Sequence, residues 1–412
     1  MTPGYWPGPW PCEDGGPRRS AAPATAVPGL GLRPGEGLTV TPRPAPGATM
    51  AVLRRPGEVF LTGHGFGDDV TAWLERIDPV TLAPLARSPD LAAGPFWPGG
   101  VAAHANGSLY VTCGRWCHRL DEDCRQIASR ELPQPRPYNS LLVLPDGALV
   151  MKDLIRDGSG RSRLIVLEPE RLTPLGPEVE VPEASIARLS ADGDVVYVVG
   201  DHTAFRFRWD ARAARLERDD AWLVPYRRRP DQSYGWDPVI EGGFVWFMDN
   251  GDHRYAGTMR GAGVAAGPVH LVRAAVADGA HTLLPISGEP HGSVTNPPLF
   301  DPERRIAVAF DSGNGWLAAW RLDGEVFVPL WSHRFGTASH MIRYPDTGEL
   351  VVNDHADDVG DAVVVLDIET GVERARAATG SPVQSVVFPA VGWGRDFYYT
   401  SFAVVARVAA GA

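Results

Sequence analysis

Of the 39 lysine and arginine residues in this chain, a single one is lysine: Lys152, followed directly by Asp153. A composition so shifted towards arginine leaves lysine where a guanidinium cannot replace it. Lysine offers an amine that can lose its proton when desolvated and then act as a base or Schiff-base nucleophile. A neighbouring carboxylate sets the charge of such an amine. Lys152 and Asp153 are therefore read as a catalytic pair, with a plain ion pair between them as the structural alternative. His340 offers a second acid–base group and Asp237 a further carboxylate, while Tyr138, Asn139, Trp236, Asn296 and Gln384 are expected to orient a substrate.

Imidazoles form a second set. His64, His202, His253, His291 and His355 fall, like His340, in or near loops that the repeat described below sends to one face. Neutral imidazoles converging from separate parts of a chain suit iron, zinc or manganese. The acidic run at 353–358 has calcium-type oxygens but lacks the glycine and terminal glutamate of an EF-hand loop, so it reads as a solvated turn. The cofactor expectation is thus none, or one divalent metal (Fe, Zn, Mn or Ca). Phe66, Tyr234 and Trp316 stand near the same loops and favour a ring-bearing or apolar small ligand over a bare anion.

What places these residues together is a pattern that recurs eight times: a small or polar residue, a short apolar run, a turn with Gly, Asp or Pro, and a second apolar run. The copies start at Thr49, Gly100, Ser140, Ser185, Asp237, Asn296, His340 and Ser385, spaced 51, 40, 45, 52, 59, 44 and 45 residues apart. Hairpin chemistry at that period is the mark of a β-propeller. A third and fourth strand with an acidic turn follow each hairpin, as in LIVLEPERLTPL and VVVLDIETGVERA. The expected fold is all-β: an eight-bladed β-propeller of four-stranded blades, with seven blades as the alternative because the Asn296 copy is irregular. The last copy has only three strands before the chain ends, and the strand-like segment 37–44 would complete it and close the ring. Residues 1–36, dense in Pro and Gly, are expected to form an irregular arm, pinned to the propeller surface by Trp6 and Trp10 or else disordered. Residues 37–412 form one propeller domain.

In a propeller the start of each innermost strand and the end of the second reach the same mouth of the axial channel. Lys152, His340 and Asp237 all fall there, and so do most of the histidines. Polarity at these positions is the structural default, because small polar residues satisfy strand ends; the residues that depart from Ser, Thr, Gly or Asp carry the information.

DGALV (146–150), LDIETG (366–371) and DGDVVYVV (192–199) resemble repeats of the bacterial quinoprotein-like, YVTN and SMP-30-like propeller superfamilies, and the likeness spans nearly the whole chain. Among these, quinoprotein dehydrogenases imply pyrroloquinoline quinone (PQQ), calcium and export. Their tryptophan-docking pattern and adjacent cysteines are missing here, so the resemblance implies the fold and PQQ is not expected. Carotenoid-cleaving oxygenases are similar in plan, holding iron with four histidines from the innermost strands, but only His340 occupies that column.

The net charge of −11 and pI near 5.5 oppose a nucleic-acid footprint. No apolar stretch approaches the length of a membrane helix, the N-terminus shows neither a basic nor an apolar signal region, and Cys12, Cys113, Cys117 and Cys124 complete no zinc motif. A cytoplasmic protein with reduced thiols is expected, with a small-molecule substrate and neither nucleic acid nor membrane as partner. GxSxG, P-loop and GxGxxG signatures are absent. The functional expectation is a small-molecule enzyme at the axial mouth, with acid–base chemistry of lyase, isomerase, cyclase or hydrolase type. The alternatives are a His-ligated metal-dependent hydrolase or oxygenase and a non-catalytic protein-binding propeller.

Overall fold

A computed structural model describes the chain apart from residues 1–3, 69, 156, 157, 159, 253–262, 384–387 and 412. Eight antiparallel sheets, each a meander of neighbouring strands, form the blades of a propeller. Second strands such as Val195–Val199 and Phe244–Met248 are continuous apolar runs, because adjacent blades cover both of their faces. Outer strands such as Arg215–Val224 are mostly exposed. Blades seal through aromatic contact: Trp246 of the fifth stacks on Phe300 of the sixth with ring centres 4.5 Å apart. The copy beginning at Asn296 builds a full blade from Leu299–Asp301, Ile306–Asp311, Trp316–Asp323 and Val326–His333, which settles eight blades over seven.

The last blade is closed from the other end of the chain. Leu38–Pro44 pairs with Val404–Ala410 in unbroken register, Leu38 opposite Ala410 and Pro44 opposite Val404. Pro42 and Pro44 are tolerated because this is an outermost strand, where a missing N–H costs no ladder bond.

The arm is neither free nor laid on the outer surface, as its composition suggests, but lies in the ring, because its carbonyls pair with backbone groups of the innermost strands. Tyr5, Trp10 and Leu30 are buried, and Trp6 takes the guanidinium groups of Arg54 and Arg55 on its indole. Innermost strands present unpaired backbone groups to the axis, and the arm meets several of them. The N–H groups of Leu53, Ala103, Ala191, Ile240 and Arg343 donate to the carbonyls of Trp10, Pro11, Pro17, Arg18 and Ala21 at 2.7–2.9 Å. The prolines of the arm thus act as acceptors that bring no N–H donor needing a partner of its own. These contacts lie near the ends of the innermost strands, opposite the mouth where those strands begin.

From that side a single turn of 3-10 helix, Glu13–Gly15, enters the axis. Gly15 sits at φ +82°, and a Cβ there would lie 2.2 Å from the carbonyl oxygen of Ala22. Gly15→Ala is therefore expected to destabilise the protein by more than the ~1 kcal/mol of an ordinary left-handed penalty. A denaturant midpoint unchanged from wild type would show that the turn has room to move. Apart from this turn the described residues are strand and loop, and no helix is long and apolar enough to cross a membrane.

Candidate functional site

Lys152 ends the strand Leu149–Lys152 and is fully buried. Its Nζ donates to the backbone carbonyls of Ser185 at 2.9 Å and Asp153 at 3.1 Å, leaving its third N–H direction with no protein acceptor among the described residues. The neighbouring carboxylate does not face it in an ion pair. Asp153 is held by Arg136, whose Nε lies 2.7 Å away, and by the backbone N–H of Arg163. Burial pulls the Lys152 amine down to about 8, with the charges of Asp153 and Asp237 only partly offsetting it.

Below the mouth, the arm's turn brings its own charges to the axis. Asp14 Oδ1 lies 2.8 Å from His340 Nδ1, and Arg19 contacts Glu13, Asp14 and Asp237 at 2.9, 2.8 and 3.1 Å. Arg188 donates to Glu13 at 3.1 Å, to the carbonyls of Gly99 and Pro98 at 2.6 and 2.7 Å, and to that of Asn139; its guanidinium lies 5.0 Å from the Phe388 ring centre. Asp237 accepts the Arg188 backbone N–H at 2.7 Å. All six ionisable residues are buried or nearly so. Burial pushes the Asp14 carboxyl up, but His340 and Arg19 outweigh it and hold it below its ordinary value. Burial lowers the Arg188 guanidinium.

The expected substrate-orienting residues are largely engaged by the protein itself. The Tyr138 hydroxyl is buried and accepts the Gln134 N–H, the Asn139 amide bonds the Ile186 carbonyl at 2.5 Å, and the Asn296 amide bonds the Ala338 carbonyl. Trp236 is buried with its indole N–H unpartnered. Gln384 and His253 lie outside the described residues. His202 and His291 are exposed, His355 is partly buried and His64 is buried. The metal-capable group among the described residues contains none of these four. It is Glu13, Asp14 and His340, whose ligand atoms lie within 4.8 Å of one another. All four cysteines are free and buried, and burial pushes the thiols of Cys113, Cys117 and Cys124 up to about 12.

Sequence reasoning missed Glu13, Asp14, Arg19 and Arg188. For Arg188 the signal was available. Three residues after the start of each copy stand Val52, Ala103, Val143, Ile240, Leu299 and Phe388, but Arg188 and Arg343 break that apolar column.

Above the network the mouth is framed by rings. On one side Phe96 meets His64 edge-on at 4.8 Å, and Phe66 lies 5.0 Å from Phe96 and 5.6 Å from Phe402. On the other, Trp97 and Tyr234 pack on Leu154, Ile186 and Trp236. Phe96 and Trp97 are consecutive, and Pro98 and Gly99 then cap Arg188, so one segment ties both groups to the axis.

No family model matches the chain, and no curated protein sequence matches it. Among solved structures it is similar to two quinohemoprotein alcohol dehydrogenases, ADHIIG of Pseudomonas putida and that of Comamonas testosteroni. Each is 11% identical with a TM-score of 0.64, over 98% of this chain and 81% of the other. The WD40 domain of Neurospora crassa Pan2 is similar at 10% identity and a TM-score of 0.52, over 93% of this chain and 98% of that domain. At such identities the likeness is one of fold, and it extends to dehydrogenases and a WD40 domain alike.

Proposed function

We propose that the protein is a cytoplasmic enzyme acting on a small organic substrate at the axial mouth, with acid–base chemistry of lyase, isomerase, cyclase or hydrolase type. The observation that carries this reading is Lys152: an amine desolvated to about 8, unpaired with any carboxylate among the described residues, with one N–H direction unused. An amine so tuned has a usable neutral fraction near pH 7 and serves as base or nucleophile. His340 is the second acid–base group. Asp14 holds its Nδ1, and its Nε2 has no hydrogen-bond partner, the arrangement that leaves an oriented imidazole free to exchange a proton. Trp236 contributes to substrate orientation, and the reading needs neither quinone nor haem. An activity screen run in parallel on the wild type and Lys152→Met tests it. A turnover seen in the wild type is expected to vanish in the variant with the thermal melt little changed, and full turnover in the variant would sink the assignment.

A metal-dependent enzyme is the second reading, favoured by the convergence of Glu13, Asp14 and His340. The charges around them oppose it. Arg19 already contacts Glu13 Oε1 and Asp14 Oδ2 and Arg188 contacts Glu13 Oε2, so a divalent ion bound by these carboxylates would sit beside two guanidiniums and compete with them for the same oxygens. Metal analysis of untreated protein is expected to find less than about a tenth of an equivalent of any transition metal, given the affinity of ordinary protein sites. A full equivalent would establish the metal reading in place of the first.

A further inference from the structure

Two of the buried polar atoms without a hydrogen-bond partner lie among the aromatic rings of the mouth. One is Nε2 of His64, the other the indole N–H of Trp236. His64 Nδ1 lies 2.9 Å from the carbonyl oxygen of Gly65, an atom that can only accept. That contact places the proton on Nδ1 and leaves Nε2 as a bare lone pair. Burial lowers the His64 pKa, helped by the positive charge of Arg188, so the lone pair is kept at neutral pH. Among its rings the mouth therefore offers an acceptor and a donor, both desolvated, which is costly unless something pairs with them.

The surroundings say what that partner would be. Phe96, Phe66 and Phe402 surround His64, Trp97 and Tyr234 accompany Trp236, and Phe66 is 60% exposed although it is a large apolar ring. We infer that the mouth binds a planar aromatic or heteroaromatic molecule carrying one hydrogen-bond donor, read by His64 Nε2, and one acceptor, read by the Trp236 indole. This names the substrate class of the proposed site and rests on that reading of the mouth. It makes His64 and Trp236 specificity-determining residues, separate from Lys152.

The probe is 4-hydroxybenzamide, compared with toluene, which keeps the ring and lacks both polar groups. Binding followed by ligand-observed NMR is expected to favour 4-hydroxybenzamide at least tenfold in the wild type, and His64→Phe and Trp236→Phe are each expected to reduce that preference about tenfold. In protein labelled with ¹⁵N-histidine, the probe is expected to shift the His64 Nε2 resonance, a measurement that requires no variant to fold. No preference in the wild type, a preference that survives both substitutions, or an unmoved His64 signal overturns the inference. Lys152→Met is expected to keep the preference. Failure of the acid–base reading would thus leave this result standing, and loss of the preference in that variant would count against His64 and Trp236 as the readers.

Discussion

Arg188→Ala is expected to destabilise the protein by roughly 3–5 kcal/mol, the cost of breaking a buried ion network from one side. The Arg188 side chain is 5% exposed and donates to Glu13, Gly99, Pro98 and Asn139. Its removal leaves three carbonyls without that donor, and three carboxylates facing only Arg19 and His340. The vacated space lies next to the Phe388 ring, so the collapse cannot be made good by the small alanine. The effect should appear as a lower denaturant midpoint at an unchanged slope. Asp237→Asn tests the mechanism. Alone it should also destabilise, but in the Arg188→Ala background its cost should shrink, because the Arg188 guanidinium lies 3.8 Å from the Asp237 carboxylate, which also meets the Arg19 that Glu13 and Asp14 share. A single-variant loss under about 1 kcal/mol, the size of one ordinary hydrogen bond, would mean that Arg188 is not the keystone of the axis.

That network also marks how far the sequence could be read. The blades were legible because their cause is repetitive: each copy has the same apolar runs and turn residues, and the spacing of Thr49, Gly100 and Ser140 carries over directly into successive innermost strands. Ring closure by residues 37–44 was legible from a missing strand at one end and a spare one at the other. The path of the arm was not. Its bonds run from backbone carbonyls to strand N–H groups, and such bonds leave no side-chain pattern, so a Pro- and Gly-rich segment reads the same whether it is free or laid in a channel. Asp153 illustrates the same limit. Adjacency in sequence suggested an ion pair with Lys152, whereas alternation along the chain turns its carboxylate towards Arg136, 17 residues away. The uniqueness of Lys152, by contrast, singled out a side chain that the fold buries completely.

The same uniqueness makes the second large prediction direct to measure. Protein labelled with ¹⁵N-lysine should show a single side-chain amine signal, and that signal should titrate near 8 in place of the ordinary 10.5. A folded-state value below the unfolded one means that the unfolded chain binds the extra proton throughout the interval between them. The burial penalty is therefore fully present below about 8, is relieved as pH rises, and is gone near 10.5. A shift of that size corresponds to roughly 3 kcal/mol. Tyrosines and cysteines also titrate in this range, so the quantity to follow is the stability of the wild type relative to Lys152→Met, in which their contributions cancel. That difference should move in favour of the wild type by roughly 3 kcal/mol between pH 8 and pH 10.5. At pH 7 the two proteins should be close. Methionine removes the buried charge but also two hydrogen bonds worth about 1 kcal/mol each, and the Ser185 carbonyl keeps the N–H of Ile155 and the hydroxyl of Ser162 as donors. An amine that titrates at its ordinary value, with a stability difference flat in pH, would place Lys152 in effective contact with solvent and remove the physical basis for its role as a base.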